Sequence, residues 1–195
     1  MTELLVDFIT TLDGYGAADG WPGWWGLQNP EYLGWLAEAP ERDYTVLMGA
    51  NTYRLMSEMG GESPDEKASV SELANASKVV FSSTLQPPLS WPNSRLISGD
   101  AVEAVREMKR EGNNSMRTLG SLSLCRSLLK AVLVDRFRVV VFPVITGSTG
   151  TDWIYDGYPD VALDMVASRQ FDGKLQLVEY VPRVLAHPPG VQNGS

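Results

Sequence analysis

Short apolar, β-branched runs alternate with stretches of helical period along most of this chain. Few architectures accommodate that alternation besides a parallel sheet covered by helices. Residues 4–10 form the first run and stop at the turn pair Asp13-Gly14. Residues 44–48, 78–81, 95–97 and 116–119 repeat the pattern, and residues 137–144 make a longer unbroken run suited to a sheet interior. Helix signals fill the gaps. Asn29-Pro30 reads as N-cap and first helical residue of a segment ending near Ala39. Asn51 or Thr52 reads as the cap of a helix carrying Tyr53, Leu55 and Met56, and Asp100 as the cap of one running to Arg110. Leu124, Cys125, Leu128, Leu129 and Val132 share one helical face, which assigns Cys125 to the core. Residues 15–28, rich in Gly and Trp, and residues 60–69 read as loops. Residues 163–169 and 174–182 have no helix between them and read as an antiparallel pair at one edge. The expectation is one α/β domain over residues 1–182, with a mostly parallel central sheet, an antiparallel C-terminal edge and helices on both faces. A polar Pro/Gly-containing tail over 183–195 follows it.

Composition narrows the chemistry. A chain of 195 residues is long enough to bury a proper core. Its net charge of −8 argues against a duplex-binding surface, which needs clustered Lys and Arg. No apolar run reaches the roughly 18 residues of a membrane span. The start, Met1-Thr2-Glu3, is acidic, unlike a secretory leader, so a cytoplasmic protein is expected. One cysteine and one histidine, His187 in the tail, leave no disulfide, no metal-ligand spacing and no Ser-His or Cys-His hydrolase. Backbone and carboxylate chemistry, or a borrowed cofactor, is what remains.

Three strand-to-helix junctions stand out: Leu47-Met48-Gly49-Ala50-Asn51-Thr52, Val80-Phe81-Ser82-Ser83-Thr84 and Thr118-Leu119-Gly120-Ser121. A parallel sheet gathers such junctions along one edge, where open α/β folds bind ligands. Glycine lets a phosphate approach the backbone, and free amides at a helix start favour its charge. Each turn alone is also ordinary turn and cap chemistry. No G-x-G-x-x-G occurs, so the Rossmann fingerprint is absent.

These junctions belong to a longer ordered series: Thr11-Leu12-Asp13-Gly14, Met48-Gly49-Ala50-Asn51-Thr52-Tyr53, Lys78-Val79-Val80-Phe81-Ser82-Ser83-Thr84-Leu85, Leu119-Gly120-Ser121, Leu133-Val134-Asp135-Arg136 and Pro143-Val144-Ile145-Thr146-Gly147. The series resembles the dihydrofolate reductase superfamily, and within it the riboflavin-pathway reductases of the RibD C-terminal type. The likeness spans about residues 2–182, and order and spacing rather than any one motif make it specific. It implies a dihydrofolate reductase-like fold and NADPH-dependent hydride transfer to a small heterocyclic or ribosylamine substrate, as in a 5-amino-6-(5-phosphoribosylamino)uracil reductase. It implies that Gly49, Ala50, Asn51 and Thr52 hold the cofactor's phosphates. Ser82, Ser83 and Thr84 would then lie near the adenine ribose, and Gly120, Ser121 and Leu122 at the pyrophosphate. Asp13 and Gly14 would sit at the nicotinamide edge, under a mobile Trp-rich loop. A homodimer is also implied, with the strand over 137–144 and the C-terminal pair as candidate surfaces.

The pattern is broken at three places. Arginine often follows the first motif's glycine in this family and recurs in its Ser-Arg-Thr-Leu motif; here Ala50 and Ser83 stand there. Such arginines would pair with a 2′-phosphate, so NADH is admitted beside NADPH. Arg54 or Arg126 is either a substitute or a solvated helix-surface residue. Folate-reducing relatives carry a carboxylate where Tyr32 stands, and Glu31 is about 100° away around the helix, so folate is disfavoured. The proton for a reduction has Asp13 as a candidate source if an apolar cleft raises its pKa; Asp13 is equally a plain Asp-Gly turn residue. Tyr32 and Tyr53 are candidate hydrogen-bond donors, or packing tyrosines. Trp24, with Trp21 and Trp25, either stacks on a planar substrate or packs an oligomer interface. Three functions therefore stay open: a reductase of this branch, a non-catalytic nucleotide-binding or scaffold protein retaining the fold, and a true dihydrofolate reductase.

Overall fold

The computed structural model describes residues 2–20, 26–58 and 73–189. The strands, in chain order, are β1 (Leu4–Thr11), β2 (Tyr15–Ala18), β3 (Thr45–Gly49), β4 (Lys78–Phe81), β5 (Ser94–Ile97), β6 (Met116–Thr118), β7 (Arg136–Phe142), β8 (Gly150–Trp153), β9 (Val161–Phe171) and β10 (Leu175–Val184). The helices are α1 (Pro30–Glu38), α2 (Ala50–Glu58), α3 (Ala101–Glu111) and α4 (Leu122–Lys130). Eight strands form the main sheet in the order β5-β4-β3-β6-β1-β7-β10-β9, and β2 pairs with β8 in a separate ribbon. From β5 to β7 every pairing is parallel, while β10 runs antiparallel to β7 and β9 antiparallel to β10. The sheet is thus mostly parallel with an antiparallel edge.

Strand alternation sends side chains to opposite faces and so divides the core. Leu4, Val6 and Phe8 of β1 join Leu47, Val79, Phe137 and Val139 against Val105 of α3 and Leu124, Cys125, Leu128 and Leu129 of α4. On the other face, Val140, Phe142, Leu175 and Leu177 pack under α1 with Tyr32. Val46, Met48 and Val80 pack there under α2 with Tyr53 and Trp91. Helices cover both faces for that reason. Cys125 is fully buried, and burial pushes its thiol up to about 12, so it acts as a small hydrophobe.

Caps fix the helix ends. Asn29 accepts from the amide of Tyr32, with Pro30 opening α1. Asp100 accepts from the amides of Val102 and Glu103, and Gly112 closes α3 with φ +70.

Three local expectations are corrected. Residues 15–18 are strand rather than loop: the Tyr15 amide donates to the Thr11 hydroxyl oxygen, and the chain reverses at Gly14 (φ +88) to pair with β8. The short Tyr-Gly-Ala-Ala run carries too little period to announce this. Neither Asn51 nor Thr52 caps α2, because β3 passes into the helix with no intervening residue. Val132 does not extend the buried face of α4: the helix ends at Lys130, Val132 turns to φ +55, and its side chain is 71% exposed.

Charge is buried on the α1 face. Arg138 bonds Glu179 (2.9 Å) and Glu41 (2.5 Å) and stacks on Trp35 at 5.1 Å. Arg136 bonds the same two acids and Glu3. Among the described residues, no helix is long and apolar enough to cross a membrane.

Candidate functional site

Strands β4, β3 and β6 are neighbours and parallel, so the turns that follow them emerge side by side at one sheet edge. Two of those turns touch. A Cβ placed on Gly49 would lie 2.7 Å from Ser121 Oγ. A Cβ placed on Gly120, whose φ is +71, would lie 3.0 Å from Thr52 Oγ1. At Gly120 the positive φ and Thr52 together call for glycine, while at buried Gly49 the place of a side chain is taken by Ser121, so the starts of α2 and α4 interlock there. Ser121 occupies the N-cap of α4 but its side chain makes no capping bond; its hydroxyl instead meets Ser123 at 3.0 Å. Leu119 is tied to β3 through the carbonyl of Leu47 at 2.9 Å.

The turn after β4 is built around Ser82, whose hydroxyl oxygen accepts from the amides of Thr84 (3.1 Å) and Leu85 (3.0 Å). Ser83 and Thr84 are exposed beside it. Arg54 joins this turn to α2: its guanidinium donates to Asn51 Oδ1 and to Thr84 Oγ1, each at 3.3 Å. So Gly49, Ala50, Asn51, Thr52, Ser82, Ser83, Thr84, Gly120, Ser121 and Leu122 do converge on one edge, although Leu122 itself turns its side chain to the core under α4. Gly49 is buried beneath Ser121 and serves the interlock rather than a ligand, whereas the edge offers an anion the Gly120 backbone, helix-start amides and several hydroxyls, and a phosphate-bearing ligand fits that donor set.

The proposed chemical groups fare differently. Asp13 lies at the end of β1, but its carboxylate accepts from the amides of Gly147 (2.9 Å) and Thr146 (3.4 Å). A hydrogen bond from the Thr11 hydroxyl, then those amides, hold its pKa below the usual carboxylate range. That corrects the expectation of a raised pKa: Asp13 is an ionised anchor for the turn after β7. Gly14 is buried beneath Trp153, whose Nε1 would stand 2.9 Å from a Cβ there.

Tyr32 is 2% exposed, packed against Trp35, Phe142 and Phe171. Burial, and then the charge of Asp7, raise its phenol further above the ordinary range, so it is no acid near neutrality. Tyr53 is corrected too. It is 4% exposed, and its hydroxyl is engaged with Ser90 and the Trp91 amide, both at 3.1 Å, so it does not face a substrate. Trp24 lies outside the described residues. Glu31 accepts from the Asp172 amide (2.7 Å) and from Arg169 (3.2 Å), so the helix's own acid is engaged at the β9–β10 edge of the sheet.

One residue escaped the sequence reading. Asp7, inside the apolar run of β1, lies 3.5 Å from Arg138 on the α1 face. Burial raises its pKa, and Arg138 and Arg117 only partly oppose that. A lone aspartate between Val6 and Phe8 was the available signal. Among the described residues, no group of His, Cys, Asp and Glu side chains could hold a metal ion.

Similarities to known proteins follow this geometry. The chain is 25% identical over 179 residues to the uncharacterized protein YyaP of Bacillus subtilis, covering 90% of this chain and 93% of that one. Its fold resembles a protein from Shewanella sp. PV-4 proposed to act in riboflavin biosynthesis (TM-score 0.74, 20% identity, 93% of this chain and 99% of that one). A deaminase/5-amino-6-(5-phosphoribosylamino)uracil reductase of Thermotoga maritima gives a TM-score of 0.64 at 19% identity, over 93% of this chain and 57% of that one. Enterococcus faecalis dihydrofolate reductase, solved with NADP(H), gives 0.58 at 14% identity, over 92% of this chain and 96% of that one. The fold is accordingly dihydrofolate reductase-like. The sequence profile of the RibD C-terminal domain matches residues 2–177, and the chain belongs to that family.

Proposed function

We propose that this protein is an NAD(P)H-dependent reductase acting on a small planar heterocycle or ribosylamine, as its family suggests. The observation that carries the reading is the interlocked pair of turns, where Gly49 meets Ser121 and Gly120 meets Thr52. A pyrophosphate needs open backbone and helix-start donors together, and the interlock sets the Gly120 turn beside the start of α2 at the sheet edge where open α/β folds take ligands. Ala50, Asn51 and Thr52 hold phosphate oxygens from one side, and Gly120 and Ser121 from the other. Ser82, Ser83 and Thr84 serve the adenine ribose. The cofactor, when bound, supplies the hydride; the chain supplies position and a cleft shielded from water.

The proton is held at Asp7 rather than Asp13 in this reading, because burial favours the neutral carboxyl at Asp7 while hydrogen bonds favour the ionised one at Asp13. Folate is not the substrate: Tyr32 is packed and Glu31 is held at a distant turn. The setting we propose is cytoplasmic. Two copies pair along β9, an edge strand that leaves Leu163, Met165 and Val166 exposed.

Calorimetric titration of the purified protein with NADPH tests the central claim. Micromolar binding is expected, followed by nicotinamide oxidation with one member of a heterocycle panel and no binding of an antifolate. Absence of binding by either NADPH or NADH removes the reductase reading in favour of a scaffold. Sedimentation tests the pairing, with Met165→Lys and Val166→Lys expected to give monomers.

A further inference from the structure

The two positions where this family often carries phosphate-pairing arginines hold Ala50 and Ser83, yet a guanidinium still bridges the residues next to them, Asn51 and Thr84. Arg54 comes from one turn further along α2. Its two terminal nitrogens donate to Asn51 Oδ1 and Thr84 Oγ1, so the fork bridges the turn after β3 and the turn after β4.

Both acceptors are neutral and both distances are 3.3 Å, at the long end for hydrogen bonds to nitrogen donors. Among the described residues, Arg54 has no carboxylate partner. The other arginines of the α-helices do: Arg106 pairs with Glu103, Arg110 with Glu107 and Arg126 with Asp156. Arg126, the other possible substitute, is therefore neutralised and held beside Gly157. In a chain with a net charge of −8, a cation poised between two hydroxyl-bearing turns without an acid is a place for an anion.

We infer that Arg54 recognises the 2′-phosphate of the adenine ribose and makes this protein select NADPH over NADH. The inference rests on the cofactor reading above. A phosphate monoester offers oxygens that a planar guanidinium binds through two nitrogens, and the weak bonds to Asn51 and Thr84 hold the fork in place without competing strongly for it. Thr84 and Ser83, exposed beside it, add hydroxyl donors to the same phosphate. The NADPH preference is thus rebuilt from a helix position that the family motif does not mark.

The test is a set of calorimetric titrations of the full chain with NADPH, NADH, adenosine 2′,5′-bisphosphate and 5′-AMP, repeated on Arg54→Ala and Arg54→Lys. The wild type is expected to bind NADPH roughly ten- to a hundredfold more tightly than NADH. Arg54→Ala should erase that ratio by lowering NADPH affinity far more than NADH affinity, and lose the advantage of the bisphosphate over 5′-AMP. Arg54→Lys should retain part of it, with a stronger dependence on salt. Arg54 is exposed, so an unchanged thermal melt of the variants serves as the folding control. An Arg54→Ala protein that keeps the wild-type NADPH/NADH ratio overturns the role of Arg54 while the cofactor reading stands. A wild type that binds neither dinucleotide overturns both.

Discussion

Gly49→Ala probes the contact on which the proposed cofactor site depends. Gly49 ends a buried strand, and its φ lies outside the positive range, so alanine brings no backbone strain there. Only the contact matters. The new methyl would lie 2.7 Å from Ser121 Oγ and 3.3 Å from Ser121 Cβ, where ordinary contacts begin at 3.4 Å. Rotation of the serine hydroxyl relieves the first approach but not the second, so the turn after β6 has to shift. Overpacking of this size costs about 1–2 kcal/mol. For a chain of this length, that lowers the melting temperature by about 2–8 °C. Ser121→Gly removes both offending atoms, and because Ser121 makes no capping bond its own cost is confined to glycine's chain entropy, about 0.5–1 kcal/mol. The Gly49→Ala/Ser121→Gly double variant should therefore recover the overpacking loss, a coupling of about 1–2 kcal/mol in a denaturant-unfolding cycle. Dinucleotide affinity should fall in Gly49→Ala, because the turn that has to shift carries Gly120 and Ser121, which are assigned to phosphate. A single variant as stable as wild type, or a double variant whose losses simply add, would refute the interlock.

Other consequences are open to measurement. Lys78 is fully buried, its ammonium bonded to the carbonyls of Leu73 (2.8 Å), Ala74 (2.9 Å) and Ala76 (2.7 Å) and set over Trp91 at 4.7 Å. Lys78→Met strands those carbonyls and should cost about 3 kcal/mol in urea unfolding; a loss below about 1 kcal/mol would mean the lysine is a mere space filler. Arg138→Met leaves Glu41 and Glu179 buried with only Arg136 between them, so a destabilisation of about 3–5 kcal/mol is expected. Chevron kinetics or equilibrium melts would show it, and a neutral variant would contradict a strongly coupled network. Asp7 and Glu41 respond to pH with opposite sign. The raised pKa of Asp7 means the native state holds its proton more tightly than the unfolded chain, so this contribution is lost as pH rises through the raised value. At Glu41 burial acts upward, but Arg138 and Arg136 outweigh it, so its contribution is lost as pH falls below the usual carboxylate range. Asp7→Asn should gain stability relative to wild type as pH rises, and a difference independent of pH would dismiss the raised Asp7.

Much of this molecule is local, and locality is what a sequence records. The apolar run of β1, the Asn29-Pro30 start of α1, the Asp100 cap of α3 and the 124–129 stripe of α4 each depend on residues a few positions apart, so period and cap chemistry determined them. The order of Gly49, Ser82 and Gly120 behind apolar strands likewise announced that these turns meet at one sheet edge, because parallel pairing must collect them. Tertiary structure decided what each side chain faces. Asp13 was placed correctly at the end of β1, yet its pKa depends on amides of Thr146 and Gly147, more than a hundred residues away. Tyr53 gave a helix position, while its hydroxyl is consumed by Ser90 and Trp91 from a distant loop. The ribbon of β2 with β8 exists only through pairing across the fold, and Val132 left its helical stripe because the helix ended first. Arg54 is the same lesson at the site. A motif assigns arginines by position along the chain, but a guanidinium acts by where it ends, and a long side chain one helical turn away ends between Asn51 and Thr84.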